Sequence, residues 1–220
     1  DNQGKQTTLT NSDDIAYSVY DIHIKPKQFF QPHPAFAIDE KGGFLYHDLT
    51  KAEIAQYGNL ENFTKTGARE VKAADFVYEI KRLASPELNS PILSMMQEHI
   101  AGLTEYTNQL AESSKQHGKI NLNEFDISGV KTIDDYHYSI TIKGQYPQFI
   151  YWLAMPFFAP LPWEADKFYS QDGMKNKNIT LAWHPVGSGP FMLSKNDPNS
   201  LMVLSKNPNF HGEKYPSDIE

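Results

Sequence analysis

Cysteine is absent from all 220 residues. That absence excludes disulfides, thiolate zinc sites, iron–sulfur clusters and a cysteine nucleophile. It also fits a compartment in which stray thiols would oxidise. No run of about 18 apolar residues occurs, so no membrane span is predicted. The richest apolar stretch, 149–158, is short and interrupted by Pro156. Residues 1–14 are polar, lack a signal-peptide core and are expected to be a flexible segment. The chain is therefore read either as cytosolic or as a piece whose export signal lies elsewhere. Clusters of five or more Lys and Arg are missing too, and the net charge is −7. Phosphate neutralisation needs a basic face, so nucleic-acid binding is excluded. Internal repeats and low-complexity tracts are likewise absent.

What the sequence does contain is apolar periodicity of two kinds. Tyr20, Ile22 and Ile24 alternate with Asp21, His23 and Lys25, the period-two signature of a half-buried strand. Residues 26–67 are rich in Pro and Gly, which break long elements, although 49–57 has room for a short helix capped by Asp48 or Thr50. Residues 73–84 are the clearest helix. Phe76, Val77, Ile80, Leu83 and Ala84 share one face, acids sit early and bases late, and Ser85-Pro86 ends it. A second helix is expected over 91–113, striped by Leu93, Met96, Ile100 and Leu103. Residues 130–133 and 136–142 read as a hairpin turned by Asp134-Asp135. Short helices are expected over 147–153 and 163–169, and two strands over 191–194 and 201–205. Helices beside antiparallel hairpins make an α+β layout.

Chemical motifs are sparse. The eight histidines (23, 33, 47, 99, 117, 137, 184 and 211) include no His-x-His pair and no two-His helical spacing of a zinc hydrolase, so no metal site is assigned. Gly187-Ser188-Gly189-Pro190 is neither a nucleophile elbow nor a dinucleotide fingerprint. Gly187, Gly189 and Pro190 are expected to build a structural turn with positive φ. Asp134-Asp135 reads as a turn rather than a carboxylate pair. The run Tyr146, Phe149, Tyr151, Trp152, Phe157 and Phe158 reads mainly as core, with some rings left for a ligand cleft.

The order of several short motifs resembles that of the family 5 extracellular solute-binding proteins of ABC importers, the oligopeptide- and dipeptide-binding type. Ala73-Ala74-Asp75-Phe76-Val77-Tyr78, with Lys81-Arg82-Leu83 and Ser90-Pro91, is similar to their "T-A-x-D-F-V-Y-S-x-x-R" helix. His99-Ile100-Ala101-Gly102, Gly129-Val130-Lys131-Thr132-Ile133-Asp134-Asp135, Tyr146-Pro147-Gln148-Phe149 and Pro160-Leu161-Pro162 follow in the family's order. Gly187-Ser188-Gly189-Pro190-Phe191 and Leu204-Ser205-Lys206-Asn207-Pro208-Asn209-Phe210 complete it. Lys72 replaces a capping Thr, and 28–70 is longer than the corresponding loop of typical members.

The resemblance implies part of the N-terminal lobe of a type II (cluster C) periplasmic binding protein, with an antiparallel or mixed sheet and packed helices. It implies a flexible segment 1–14, an extra sub-domain 15–162 carrying the long insertion 28–70, and part of the main lobe at 163–220. Ile92 stands where a peptide-binding relative carries an aromatic ligand contact; Met96 and His33 are the other candidate ligand-binding residues. The implied role is a non-enzymatic receptor without cofactor. It would capture oligopeptides in the periplasm and pass them to a membrane permease, its second partner. Alternatives are the same receptor for a nickel chelate or a sugar, a partner-binding module, and a hydrolase.

Overall fold

The computed structural model describes residues 14–118, 120–197 and 199–212; the expected flexible N-terminal segment lies almost wholly outside them. In chain order the elements are β1 (Tyr17–His23), α1 (Lys51–Ala55), α2 (Ala73–Leu83), α3 (Leu93–His99) and α4 (Leu103–His117). They continue with β2 (Val130–Asp134), β3 (His137–Lys143), α5 (Phe149–Trp152), α6 (Trp163–Tyr169), β4 (Phe191–Asn196) and β5 (Met202–Lys206). Helices pack beside antiparallel strands, as the α+β expectation has it. Among the described residues no helix is long and apolar enough to cross a membrane.

The chain forms two compact units. One comprises Asp1–Ile24 with Lys72–Ala159, the other Lys25–Val71 with Pro160–Glu220. This division is discontinuous, unlike the linear split at 14/15 and 162/163. Segment 28–70 belongs with the C-terminal residues because its backbone bonds there: Gln31 N donates to Gly187 O at 2.8 Å.

The first unit is built on an antiparallel sheet in the order β1-β3-β2. Tyr17 pairs with Lys143 at one end of the β1–β3 ladder and His23 with His137 at the other. The central strand turns Tyr138, Ile140 and Ile142 into the core, where period-two alternation places them. The hairpin turn is fixed by Asp134, whose carboxylate accepts the Tyr136 N–H at 2.8 Å. Helix α2 lays Val77, Ile80 and Leu83 on the sheet, while Phe76 stacks on Tyr138. Lys72 supplies no side-chain cap to this helix. Asp75 instead accepts the Lys72 N–H at 2.8 Å, and Lys72 Nζ binds Tyr136 Oη and Asp135 at 3.0 Å.

The single helix expected over 91–113 is two helices. Met96, Ile100 and Leu103 are all fully buried, so the apolar stripe is real. The backbone nevertheless leaves the helix at Ile100, which turns extended and bridges Ile142. Ala101 N then donates to Thr141 O at 3.0 Å. Gly102 makes the break possible: its φ is +76°, and a Cβ there would lie 2.0 Å from Ser128 Oγ. Sheet bonds to β3 thus replace the helical bonds that the stripe alone suggests.

The second unit has little regular structure yet a dense core. Phe30, Ile54, Phe63, Ala165, Phe168, Met174 and Ile179 are essentially buried. Burying each large apolar side chain contributes about 1.5–3 kcal/mol. Phe63 meets Phe168 edge-on at 5.2 Å and Tyr46 at 5.2 Å, geometries that suit aromatic quadrupoles. Isolated bridges Phe29–Glu70 and His33–Gly67 hold the irregular segments together. Thr50 and Glu53 form a reciprocal capping box at α1. The hairpin β4–β5 closes the unit, with a register shift between Leu193 and Lys195.

Candidate functional site

The three candidate ligand residues fall in different units and differ in burial. Ile92 and Met96 belong to the first unit and His33 to the second. Met96 points into the core and exposes none of its surface, so a ligand would have to displace core side chains to touch it. Ile92 precedes α3, packs partly against the core and keeps part of its surface open. Beside it, Met95 is 42% exposed; helical periodicity alone did not single it out.

At the other end of α3, His99 stacks on Tyr146 with ring centroids 4.4 Å apart and meets Trp152 edge-on at 5.3 Å. The aromatic run divides here. Phe149, Trp152 and Phe158 are core, whereas Tyr151 is 70% exposed and its neighbour Ile150 57%. Apolar side chains that reach solvent in the first unit thus include Ile92, Met95, Ile150, Tyr151 and Met155. Such surfaces can contact side chains of a peptide or an apolar ligand.

His33 plays another part. Its Nδ1 accepts the Ala35 N–H at 3.1 Å, capping a 3₁₀ turn at Pro34–Phe36. Its Nε2 lies 2.8 Å from Tyr169 Oη, and that hydroxyl donates to His184 O at 2.6 Å. The single phenolic proton is therefore spent on His184, and His33 must donate through Nε2–H. Both ring nitrogens are engaged in one neutral tautomer. Burial, helped by His184, pushes the His33 pKa down to about 3. This geometry leaves His33 no nitrogen for a ligand. Burial also raises the Tyr169 pKa well above its usual value, keeping the hydroxyl protonated.

A second buried polar group lies in the same unit. Arg69 Nε and Nη2 form two 2.7 Å bonds to the Glu164 carboxylate, the fork geometry that suits guanidinium. Arg69 also stands over Phe30 and Phe36 at 5.2 and 5.7 Å. His47 donates through Nε2 to Ala35 O at 2.8 Å and stacks on Phe44 at 4.1 Å. Its pKa is lowered, chiefly by burial.

Gly187-Ser188-Gly189-Pro190 is a loop clasped from both sides. Gln31 brackets Gly187, while Asn207 donates to Gly189 O at 2.8 Å and Pro190 O at 2.9 Å. Neither Gly187 nor Gly189 has a left-handed φ, contrary to expectation. Side-chain and backbone bonds from Gln31 and Asn207 shape the turn in its place.

Histidines distant in sequence also meet. His23 and His137 face each other across β1 and β3 and stack at 4.0 Å. No motif spacing could reveal this, since strand pairing alone brings them together. Among the described residues no group of three or more His, Asp or Glu is placed to hold a metal ion.

Comparison with known proteins gives these geometries a context. A family model described as "Bacterial extracellular solute-binding proteins, family 5 Middle" matches residues 66–219. The periplasmic oligopeptide-binding protein OppA of Salmonella typhimurium is 29% identical over 151 residues, covering 68% of this chain and 24% of that protein. OppA of Escherichia coli is 30% identical over 141 residues, covering 64% of this chain and 23% of that protein. The chain therefore spans about a quarter of the length of these relatives. Among solved structures, an oligopeptide-binding protein of Borrelia burgdorferi superposes with a TM-score of 0.55 at 20% identity, covering 93% of this chain and 30% of that one. DppA of Helicobacter pylori in complex with peptide STSA gives 0.53 at 18% identity, covering 93% and 30%. The mixed helix-and-sheet fold is thus that of part of a lobe of the type II periplasmic peptide-binding proteins.

Proposed function

Since the chain belongs to the family 5 bacterial extracellular solute-binding proteins, we propose that it is part of a receptor that captures oligopeptides in the periplasm and delivers them to an ABC permease. The observation that carries this reading is the family match over residues 66–219, joined by the resemblance to two oligopeptide-binding proteins. The receptor works without bond-making chemistry. An extended peptide enters between lobes, its backbone pairs with protein groups, and closure excludes water. Pairing through the backbone is indifferent to side chains, which suits a broad peptide diet.

Within this chain we assign the ligand-facing role to the open apolar surface of the first unit, with Ile92 as its anchor and Met95 beside it. Support comes from burial: Ile92 and Met95 reach solvent, whereas Met96 is enclosed and both His33 nitrogens are engaged. We assign the first unit to the extra sub-domain of the lobe and the second to the main lobe.

Isothermal titration of the full-length protein with a mixed tripeptide library tests the reading. Saturable micromolar or tighter binding is expected, and Ile92→Ser should weaken it. The 220-residue chain alone should bind far more weakly, because enclosure needs both lobes. A full-length protein that retains a sugar or a metal chelate on native mass spectrometry, and takes up no peptide, would refute the assignment.

A further inference from the structure

We propose that His23 and His137 form a two-imidazole binding site for a divalent transition-metal ion such as zinc, nickel or copper, with Asp21 orienting His137. The two histidines are directly opposed in the β1–β3 register. Their rings stack with centroids 4.0 Å apart and planes only 23° from parallel. Strand pairing therefore holds both imidazoles on one face of the sheet. Imidazole nitrogens bind zinc at about 2.0–2.1 Å, so two of them on one ion lie about 3.3 Å apart. The stack must open for this: the His23 ring swings about its side-chain torsions until one of its nitrogens converges with His137 Nδ1, the nitrogen that Asp21 does not face. His23 ends β1 and is exposed, so its ring is free to make that adjustment.

His137 Nε2 is buried and makes no hydrogen bond among the described residues, while Asp21 Oδ1 lies 3.5 Å away. A carboxylate beside an imidazole is the usual arrangement behind a metal-bound histidine, where it fixes the ring and raises its basicity. Asp134, the residue of β2 paired with His137, adds a second negative charge at this end of the sheet. Imidazole donors select zinc, copper and nickel over magnesium and calcium, which prefer oxygen. The protein offers two nitrogen ligands, consistent with the absence of any three-residue cage among the described residues. Water completes the coordination, so the site stays open on one side.

The test is a titration of the peptide-free 220-residue chain with copper(II) chloride, read by electron paramagnetic resonance and calorimetry. One ion per chain is expected at the first equivalent, with superhyperfine splitting from two imidazole nitrogens. His23→Gln should lower the affinity at least tenfold and leave no more than one nitrogen in the spectrum. Asp21→Asn should lower it severalfold while keeping two nitrogens. His211→Gln, in the other unit, should change neither. His23 is exposed, so its loss spares the core, and unchanged thermal unfolding of the apo variant verifies this. An unaltered two-nitrogen spectrum in His23→Gln overturns the proposal, as does a wild-type chain that takes up no copper.

Discussion

Replacing Tyr169 by Phe and Tyr106 by Phe removes the same atom from two buried sites with opposite expected results. Tyr169 Oη receives the His33 Nε2–H at 2.8 Å and donates to His184 O at 2.6 Å. Its loss leaves a buried imidazole donor and a carbonyl without partners. An unsatisfied buried donor or acceptor costs about 1–3 kcal/mol, and the half-buried carbonyl recovers part of its cost from water. The expected loss is roughly 2–4 kcal/mol for the second unit. Tyr106 Oη is equally enclosed but makes no hydrogen bond among the described residues. Burial and the nearby Asp126 also push its pKa far up. Removing a buried hydroxyl that has no partner costs nothing, so Tyr106→Phe should be neutral or slightly stabilising in the first unit. Because the chain has two compact units, a single unfolding midpoint is a poor readout. Native-state hydrogen exchange with peptides from 25–71 and from 103–117 reports each unit separately. Equal losses at the two sites, or less than about 0.5 kcal/mol at Tyr169, would show that the hydrogen-bond inventory is not what distinguishes them.

Three further predictions follow from the same contacts. His33 stays neutral in the fold down to about pH 3, against an ordinary value of 6.5. Between those limits the unfolded chain binds the extra proton, so stability is complete above pH 6.5 and falls as pH drops, by about 1.4 kcal/mol per unit. The opening free energy of the second unit, taken from exchange after correction for the intrinsic amide rate, should therefore fall steadily from pH 6.5 to 4.5, and His33→Asn should flatten that slope; a pH-independent wild-type free energy would contradict the assignment. Met96→Ala should cost about 2–5 kcal/mol in the first unit by opening a cavity, measured by native-state exchange over 103–117, with peptide affinity of the folded full-length protein unchanged. Gly67→Ala should prevent normal folding of the second unit, because the new Cβ would sit 2.1 Å from the Phe36 carbonyl oxygen; native-like exchange over 29–37 in that variant would refute this.

How much of this was legible in the sequence depends on where each element's determinants lie. Helix α2 carries its own periodicity and stop signal, and the bounds read from sequence for it and for α6 nearly coincide with those observed. The break at Ile100–Gly102 left one mark in the sequence, Gly102 itself, but the hydrogen bonds from β3 that compete with the helix there are external to it. Segment 26–67 was read as irregular apart from one short helix, and it is. Its dense core escaped notice because the partners of Phe30, Phe63 and Gln31 lie far along the chain. Burial then sorted the candidate site residues. Ile92 came from a positional resemblance and stays on an accessible surface. Met96 lies on the apolar stripe that also predicts core, and His33 sits between Pro32 and Pro34, where one-dimensional pattern says nothing of Tyr169. The His23–His137 stack depends on strand register, which no local motif encodes.

The chain passes from one compact unit to the other three times, after Ile24, Val71 and Ala159. Synthesis runs from the first residue onward, so this threading sets a timetable. Once residues 25–71 have been made, Phe30, Phe36 and Phe63 must wait for Phe168 and the loop at Gly187 before their core can close. Over that interval, while the whole of 72–159 is being added, a cluster of aromatic side chains stands uncovered. Closing such distant pairs is slow, and exposed apolar surface invites association with other chains. A polypeptide threaded this way gains from any factor that shields residues 28–63 until the last quarter of the chain arrives.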